Sequence, residues 1–255
     1  MANKKPAPKR NIETLTLGWC DNGMVDGKFT EGVVYSMLTG LGSGIPIVNA
    51  MRVSGNQIAR QRQNLIDMWY DSNTSDWLLW LDSDVVLTKD ILTKLWNGRD
   101  AKERPLLTGV YMVTRMNEQS MMQPLPDLFI DTDDHFTIQF IHPLPKDQII
   151  KVDSAGFGLL LMHRDVVTKL REKYSIFFYE DMESEQRFLG EDIHFFKKCK
   201  QLGIPLWADT SCIAMHMKRF PYDQEYYYFY WTLMHQQEQL LKGLAQDAKE
   251  ASENT

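Results

Sequence analysis

Long apolar runs are missing from this chain of 255 residues. No stretch approaches the roughly 18–20 apolar residues that a membrane-crossing helix needs. The opening segment, Met1–Arg10, is basic and Pro-containing but has no apolar centre, so it does not read as a secretory signal. Residues 1–11 are expected to form a disordered basic arm. Cysteine is scarce. Cys20, Cys199 and Cys212 are an odd, widely spaced set without the spacing of a metal finger, which favours a reducing, cytoplasmic compartment. Positive charge is not in excess: the formal net charge of −6 argues against a surface that coats nucleic acid in general, though not against a local basic site. Low-complexity tracts, internal repeats and Pro/Ser-rich linkers are also lacking. What remains is an ordinary globular composition, 44% hydrophobic and 24% charged, on a length that suits one large domain with a full core.

The first half alternates strand and helix signals. Thr14–Trp19 reads as a strand, Thr30–Leu38 as a helix and Ile45–Met51 as a second strand. Ser54 or Asn56 then caps a helix carrying Ile58, Leu65, Ile66 and Trp69 at helical spacing. Asp76–Leu81 is a third strand, Leu92–Trp96 belongs to a helix and Pro105–Val113 is a fourth strand. This alternation predicts an α/β fold with a mostly parallel sheet and helices on both faces. Residues 115–135, rich in Met, Pro, Asp and Gln, read as a loop or lid. Phe136–His142 and Gln148–Val152 read as a strand pair joined across Pro143–Lys146. Ala155–Met162 is an apolar segment, and helices follow at about Asp165–Lys173 and Asp192–Leu202. A short strand around Pro205–Ala208 leads to a small turn, Trp207–Ser211. The tail from Tyr222 to Leu244 reads as helical, with its aromatic start expected to pack against the domain.

The most informative segment is Trp77-Leu78-Leu79-Trp80-Leu81-Asp82-Ser83-Asp84. Its apolar run suits a strand covered on both faces, and ligands of open α/β sheets gather at the carboxyl ends of such strands. Asp82 and Asp84, two apart at that end, form a corner whose oxygens suit Mg²⁺ or Mn²⁺. The bland alternative is that one of them caps a helix beginning near Thr88. Gly190-Glu191-Asp192 precedes a helix; it is either a cap with Glu191 on the helix dipole, or a pocket-edge carboxylate that deprotonates an acceptor hydroxyl. His216 is either a satisfied histidine among apolar neighbours or the imidazole that completes an Asp/His metal site. Asp153-Ser154-Ala155-Gly156-Phe157-Gly158 offers small residues for a sharp turn or for close approach to a ligand.

In this order, the segments resemble nucleotide-sugar-dependent glycosyltransferases of the GT-A type, especially the compact family-2-like enzymes of bacteriophages and bacteria. The resemblance runs from about residue 12 to 218. It rests on Leu15–Cys20, the helix Ile58–Asn64, the Asp-x-Asp segment 77–84, the glycine turn Ser154–Gly158, Gly190–Asp192 and His216. It implies a Rossmann-like, mixed and mostly parallel sheet flanked by helices, with a glycosyltransferase domain over 12–220 and an aromatic helix and tail over 221–255. It implies Mn²⁺ or Mg²⁺ held by Asp84 and His216 with Asp82 nearby. Cys20 and Asp21 would meet the nucleobase, and Arg60 and Asn64 the nucleotide or donor phosphate. Asp82 and Ser83 would face the donor, Gly156 and Phe157 the acceptor. Asp192, beside Glu191, would be the base of an inverting hexosyl or pentosyl transfer from a UDP-sugar. Because the helix reads Arg60-Gln61-Arg62-Gln63-Asn64, Arg60 and Arg62 both stand as donor contacts. The acceptor is left open among glycan, protein, small molecule and a hydroxymethylated base of phage DNA; for the last, Lys4, Lys5, Lys9, Arg10, Lys218 and Arg219 supply local positive charge. If the source is viral, the compartment is the host cytoplasm.

Two other readings compete. A nucleotidyltransferase also uses a carboxylate–Mg²⁺ site, but such enzymes often carry a basic Gly-rich loop after the first strand, and Cys20–Gly27 holds acids and no Lys or Arg. A non-catalytic nucleotide-sugar-binding protein is the third.

Overall fold

The computed structural model describes residues 12–88, 90–116, 122–132, 138–184, 187–219 and 224–253. The expected basic arm lies outside them. The chain divides into two units, Met1–Met217 and Lys218–Thr255.

The first unit is built on a seven-stranded sheet. In chain order its strands are β1 (Leu15–Asp21), β2 (Ile47–Ser54), β3 (Trp77–Asp82), β4 (Leu106–Val110), β5 (Ile149–Val152), β6 (Leu159–His163) and β7 (Leu206–Ile213). Across the sheet they run β5-β7-β4-β6-β3-β1-β2. β2, β1, β3, β4 and β7 share one direction, and β6 and β5 oppose it. The sheet is therefore mixed and mostly parallel, flanked by helices, as the alternating pattern predicts.

The helices of this unit are α1 (Gly27–Gly42), α2 (Ile58–Ser72), α3 (Ile91–Gly98), α4 (Arg164–Lys173) and α5 (Glu191–Gln201). Strand β3 shows why its sequence is apolar without interruption. Leu78 and Trp80 point into a core shared with Leu65, Ile66 and Trp69 of α2, Val166 and Leu170 of α4 and Phe195 and Phe196 of α5. Trp77, Leu79 and Leu81 point the other way, among Phe29 and Val33 of α1 and Ile91, Leu92 and Leu95 of α3. The period-two alternation of a strand thus feeds two cores, one on each face of the sheet. Complete burial of one such aliphatic side chain contributes roughly 1.5–3 kcal/mol.

Several local readings change. Ile138–Phe140 pairs with Leu128–Asp131 rather than with β5, and β5 pairs antiparallel with β7 across more than fifty residues of sequence. The expected turn at Trp207–Ser211 is part of β7, whose register shifts between Ala208 and Ile213 where it runs beside β4. The expected loop after Thr114 contains strands at Met122–Pro126 and Leu128–Asp131. Gln57, not Ser54 or Asn56, is the N-cap of α2.

The second unit is α6 (Gln224–Glu253). Within it aromatic rings contact one another, as in Tyr227–Trp231 and Tyr230–Trp231. Among the described residues no helix is long and apolar enough to cross a membrane.

Candidate active site

A cleft of about 490 Å³ opens where β1, β2 and β3 end. Cys20 and Asp21 reach it from β1, Asn56 from the turn after β2, Arg62 from α2, and Asp82, Ser83 and Asp84 from the corner after β3. Neither aspartate of that corner caps a helix, because α3 begins at Ile91 with Asp90 as its N-cap.

Backbone pairing sets the corner. The Asp82 N–H donates to the Gly158 carbonyl at 3.0 Å, and the Met217 N–H donates to the Asp84 carbonyl at 2.8 Å. A two-residue antiparallel ladder, Val85–Val86 against Met215–His216, places His216 opposite Val85. His216 and Asp84, 132 positions apart in sequence, therefore meet: Nε2 stands 3.3 Å from Oδ2. The other ring nitrogen, Nδ1, lies 2.8 Å from the Met112 carbonyl. A carbonyl only accepts, so Nδ1 carries a proton and Nε2 is the nitrogen turned toward the carboxylate.

Asp82 turns elsewhere. Its Oδ1 accepts from Arg62 at 3.0 Å, and the same guanidinium donates to Glu191 Oε1 at 2.6 Å. The Arg62 side chain is only 6% exposed and lies over the Phe157 ring at 5.0 Å. Burial works against its charge, but Asp82, Glu191 and Asp192 outweigh burial and raise its pKa. Arg62 thus joins the carboxyl end of β3 to the first residue of α5.

Behind this pair, Asp192 is pushed up to about 6, by burial first and by the neighbouring Glu191, against the opposing pull of Arg62. Its Oδ1 accepts the Ile193 N–H at 2.8 Å, and Gly190 rather than Asp192 is the N-cap of α5. The side chain does not line the cleft. Asp127 is likewise raised, chiefly by burial, while a hydrogen bond from the Tyr111 hydroxyl opposes the rise. Burial and then the charge of Asp127 raise the Tyr111 phenol. That hydroxyl also accepts the Gly158 N–H at 3.1 Å. The glycine turn is what admits this pair. A Cβ on Gly156 would fall on Asp127 Oδ2 and on the Tyr111 hydroxyl, and one on Gly158 would lie 2.8 Å from Tyr111 Cζ. Phe157, between them, is buried beneath Arg62.

At the end of β1, Asp21 is lowered to about 2, mainly by its hydrogen bond from Arg52, with Gly23 N–H and Ser54 adding. The Cys20 thiol is pushed up to about 12 by burial and is no nucleophile. Gln61 Nε2 ties the two strand ends together, donating to the carbonyls of Asp21 at 2.7 Å and Val53 at 3.1 Å.

The structure therefore gathers Cys20, Asp21, Asp82, Ser83, Asp84 and His216 around the cleft, with Glu191, Asp192, Gly156 and Phe157 beside or beneath its floor. It leaves out Arg60 and Asn64, which are exposed and line a different cleft. Arg62 takes the central place. Its position was legible: it falls four residues after Ile58 and three before Leu65, on the buried stripe of α2, whereas Arg60 does not. Tyr111 and Asp127 carried no sequence signal.

Whether these groups suit a divalent ion follows from their chemistry. Asp84 Oδ2 and the Nε2 of a ring protonated at Nδ1 face each other, and an N/O pair of this kind suits Mn²⁺. Asp82, Glu191 and Asp192 act together on the one guanidinium of Arg62, so an anionic ligand here needs added positive charge. Among the described residues, however, no three His, Cys, Asp or Glu side chains converge as a complete metal cluster. If an ion is held here, Asp84 and His216 would supply two ligands, and a diphosphate or water would have to supply the rest.

No protein-family model and no curated protein matches the chain. Solved structures do. The A197 protein from STIV aligns with a TM-score of 0.50 at 19% identity, over 80% of this chain and 86% of that one. GalNAc-T7, solved with UDP, GalNAc and Mn²⁺, aligns at 0.47 and 10% identity over 83% of this chain, which spans 45% of its length. A Drosophila β-1,4-galactosyltransferase 7 mutant with manganese, UDP-Gal and xylobiose aligns at 0.43 and 12%, over 82% and 77% of the two chains. At such identities the likeness to A197 is one of fold.

Proposed function

We propose that this chain is a metal-dependent glycosyltransferase of the GT-A type, family-2-like, transferring a sugar from a UDP-sugar to an acceptor hydroxyl with inversion. The reading is carried by one observation: at the carboxyl edge of the sheet, Asp84 is held against His216 while Arg62 bridges Asp82 to Glu191. Asp84 and His216 would hold Mn²⁺ or Mg²⁺. Such an ion, when bound, neutralises charge on a donor diphosphate.

The chain's own residues do the rest. Asp21 and Gln61 shape the nucleoside end, Asp21 fixed as a carboxylate by Arg52. Arg62, pinned by two carboxylates, keeps Asp82 oriented at the donor side. Asp192, next to the Glu191 that Arg62 ties to Asp82, would be the base for an acceptor hydroxyl that reaches the start of α5: with its pKa near 6 it is ionised at neutral pH yet basic enough to take a proton. As it removes the hydroxyl proton, the acceptor oxygen bonds to the anomeric carbon. The bond from that carbon to the phosphate oxygen breaks, and its electron pair leaves with the nucleoside diphosphate. The transferase domain comprises 12–220 in this reading, with 221–255 as an appended helix and tail.

The test is nucleoside diphosphate release from a panel of UDP-, GDP- and TDP-linked hexoses and pentoses with Mn²⁺, followed by chromatography. One donor is expected to be hydrolysed slowly without acceptor, and EDTA to stop it. Absence of release from every donor contradicts the enzyme reading; release of pyrophosphate from a nucleoside triphosphate with a sugar phosphate favours a nucleotidyltransferase.

A further inference from the structure

The cleft that takes Arg60 and Asn64 is larger than the first, about 660 Å³, and nothing in the transfer step uses it. It lies between the start of α2 and the segment 176–180, and it shares the lining residues Asn56 and Ile58 with the donor cleft, so the two are adjacent.

Its far wall is firmly built. Gln63 Oε1 on α2 accepts the Phe177 N–H at 2.7 Å, and Lys198 on α5 donates through Nζ to the Phe177 carbonyl at 2.8 Å. Phe178 is buried and stacks on Phe195 with ring centroids 4.9 Å apart; Tyr179 stacks on His194 at 4.7 Å and remains 39% exposed. Besides Gln63, held by Phe177, and Tyr179, five further polar side chains border the space: Asn56, Gln57, Arg60, Asn64 and Glu180. None of these five makes a side-chain hydrogen bond or ion pair among the described residues.

We propose that this second cleft is a subsite for an uncharged glycan segment of the acceptor, bound through Asn56, Gln57, Arg60, Asn64 and Glu180 beside the donor cleft. The proposal rests on the glycosyltransferase reading and narrows its acceptor class. A neutral polyol offers each hydroxyl as both donor and acceptor, which matches a ring of amides, one cation and one anion. The cleft's own charges cancel, Arg60 against Glu180. A phosphodiester chain would bring several negative charges to a site with a single cation and a carboxylate, so a nucleic acid is the poorer occupant. Apolar walls from Ile58, Ala59 and Ile176 suit the C–H faces of a sugar ring, as small-molecule sites combine apolar walls with a few placed polar groups.

The full chain, fluorescently labelled, is to be applied to a printed array of neutral, sulfated and phosphorylated glycans. Its affinity for a single-stranded DNA oligonucleotide containing hydroxymethylcytosine is measured by anisotropy. The expected result is binding to neutral glycans that falls about tenfold or more in the Arg60→Ala/Asn64→Ala variant, whose melting temperature is unchanged. UDP affinity with Mn²⁺ is expected to stay within about twofold in that variant, since removing two hydrogen-bonding side chains from the donor site itself would weaken UDP far more. Binding to no neutral glycan, to anionic glycans or the oligonucleotide alone, or with equal affinity in the variant, overturns the proposal, as does a large loss of UDP affinity. Failure of the transferase reading has a separate signature: the wild-type chain would then release no nucleoside diphosphate from any sugar donor, whatever the array shows.

Discussion

Replacing Arg62 by Met is the most severe single change the site permits. The methionine fills much of the same space over Phe157 but leaves two carboxylates without their cation. Glu191, with its side chain 11% exposed, loses a 2.6 Å charge-assisted bond. Asp82 loses one at 3.0 Å, but at 28% exposure water recovers part of that loss. Breaking a buried pair by removing one partner costs about 3–5 kcal/mol, because the remaining charge is stranded. Removing the cation from above the Phe157 ring adds about 1 kcal/mol. For a chain of this size, such a loss lowers Tm by on the order of 10 °C. Urea denaturation of both proteins at pH 7 measures it. The double variant Arg62→Met/Glu191→Gln is expected to recover more than half of the loss, since a neutral amide replaces the stranded charge. A loss below about 1 kcal/mol, or no recovery in the double variant, refutes the bridging role given to Arg62.

Two further substitutions test the same geometry. Asp192→Asn is expected to reduce turnover on the acceptor by about 10²–10⁴ with UDP affinity unchanged, and to abolish the acid limb of the wild-type rate profile near pH 6. A raised carboxyl pKa means the folded protein holds this proton more tightly than the unfolded chain. Its contribution to stability is therefore present below about pH 4 and lost as pH rises through 6, so the Asn variant should be the more stable protein at pH 8. Gly156→Ala drives a methyl group onto Asp127 and the Tyr111 hydroxyl; a loss of about 1–3 kcal/mol in thermal denaturation is expected, and a silent substitution contradicts the packing of that turn.

Much of the fold was legible because burial leaves local marks. The run Trp77–Leu81 announces a central strand since each residue serves one of two cores, and helical spacing outlines α2 through Ile58, Leu65, Ile66 and Trp69. Pairing was harder. Gln148–Val152 has no local sign that its partner is β7 rather than the nearer Ile138–Phe140 segment, because strand partners are chosen by long-range packing. The stretch Trp207–Ser211 reads as a small turn, yet it holds its place in β7 while the register beside β4 shifts. In the site, Asp82, Asp84, Glu191, Asp192 and His216 stood out as polar groups at element ends. Tyr111 and Asp127 did not, since their pairing exists only where Gly156 and Gly158 bring a separate turn against them.

The central claim is that Asp84 and His216 hold a divalent ion that recruits the donor diphosphate. Titration calorimetry of UDP into the full chain, with Mn²⁺ and then with EDTA, tests it directly, repeated on Asp84→Asn and His216→Ala. The account predicts Mn²⁺-dependent UDP binding, weakened about tenfold or more in each variant while circular dichroism and Tm show both still folded. UDP binding of equal strength with EDTA, or in both folded variants, would contradict it.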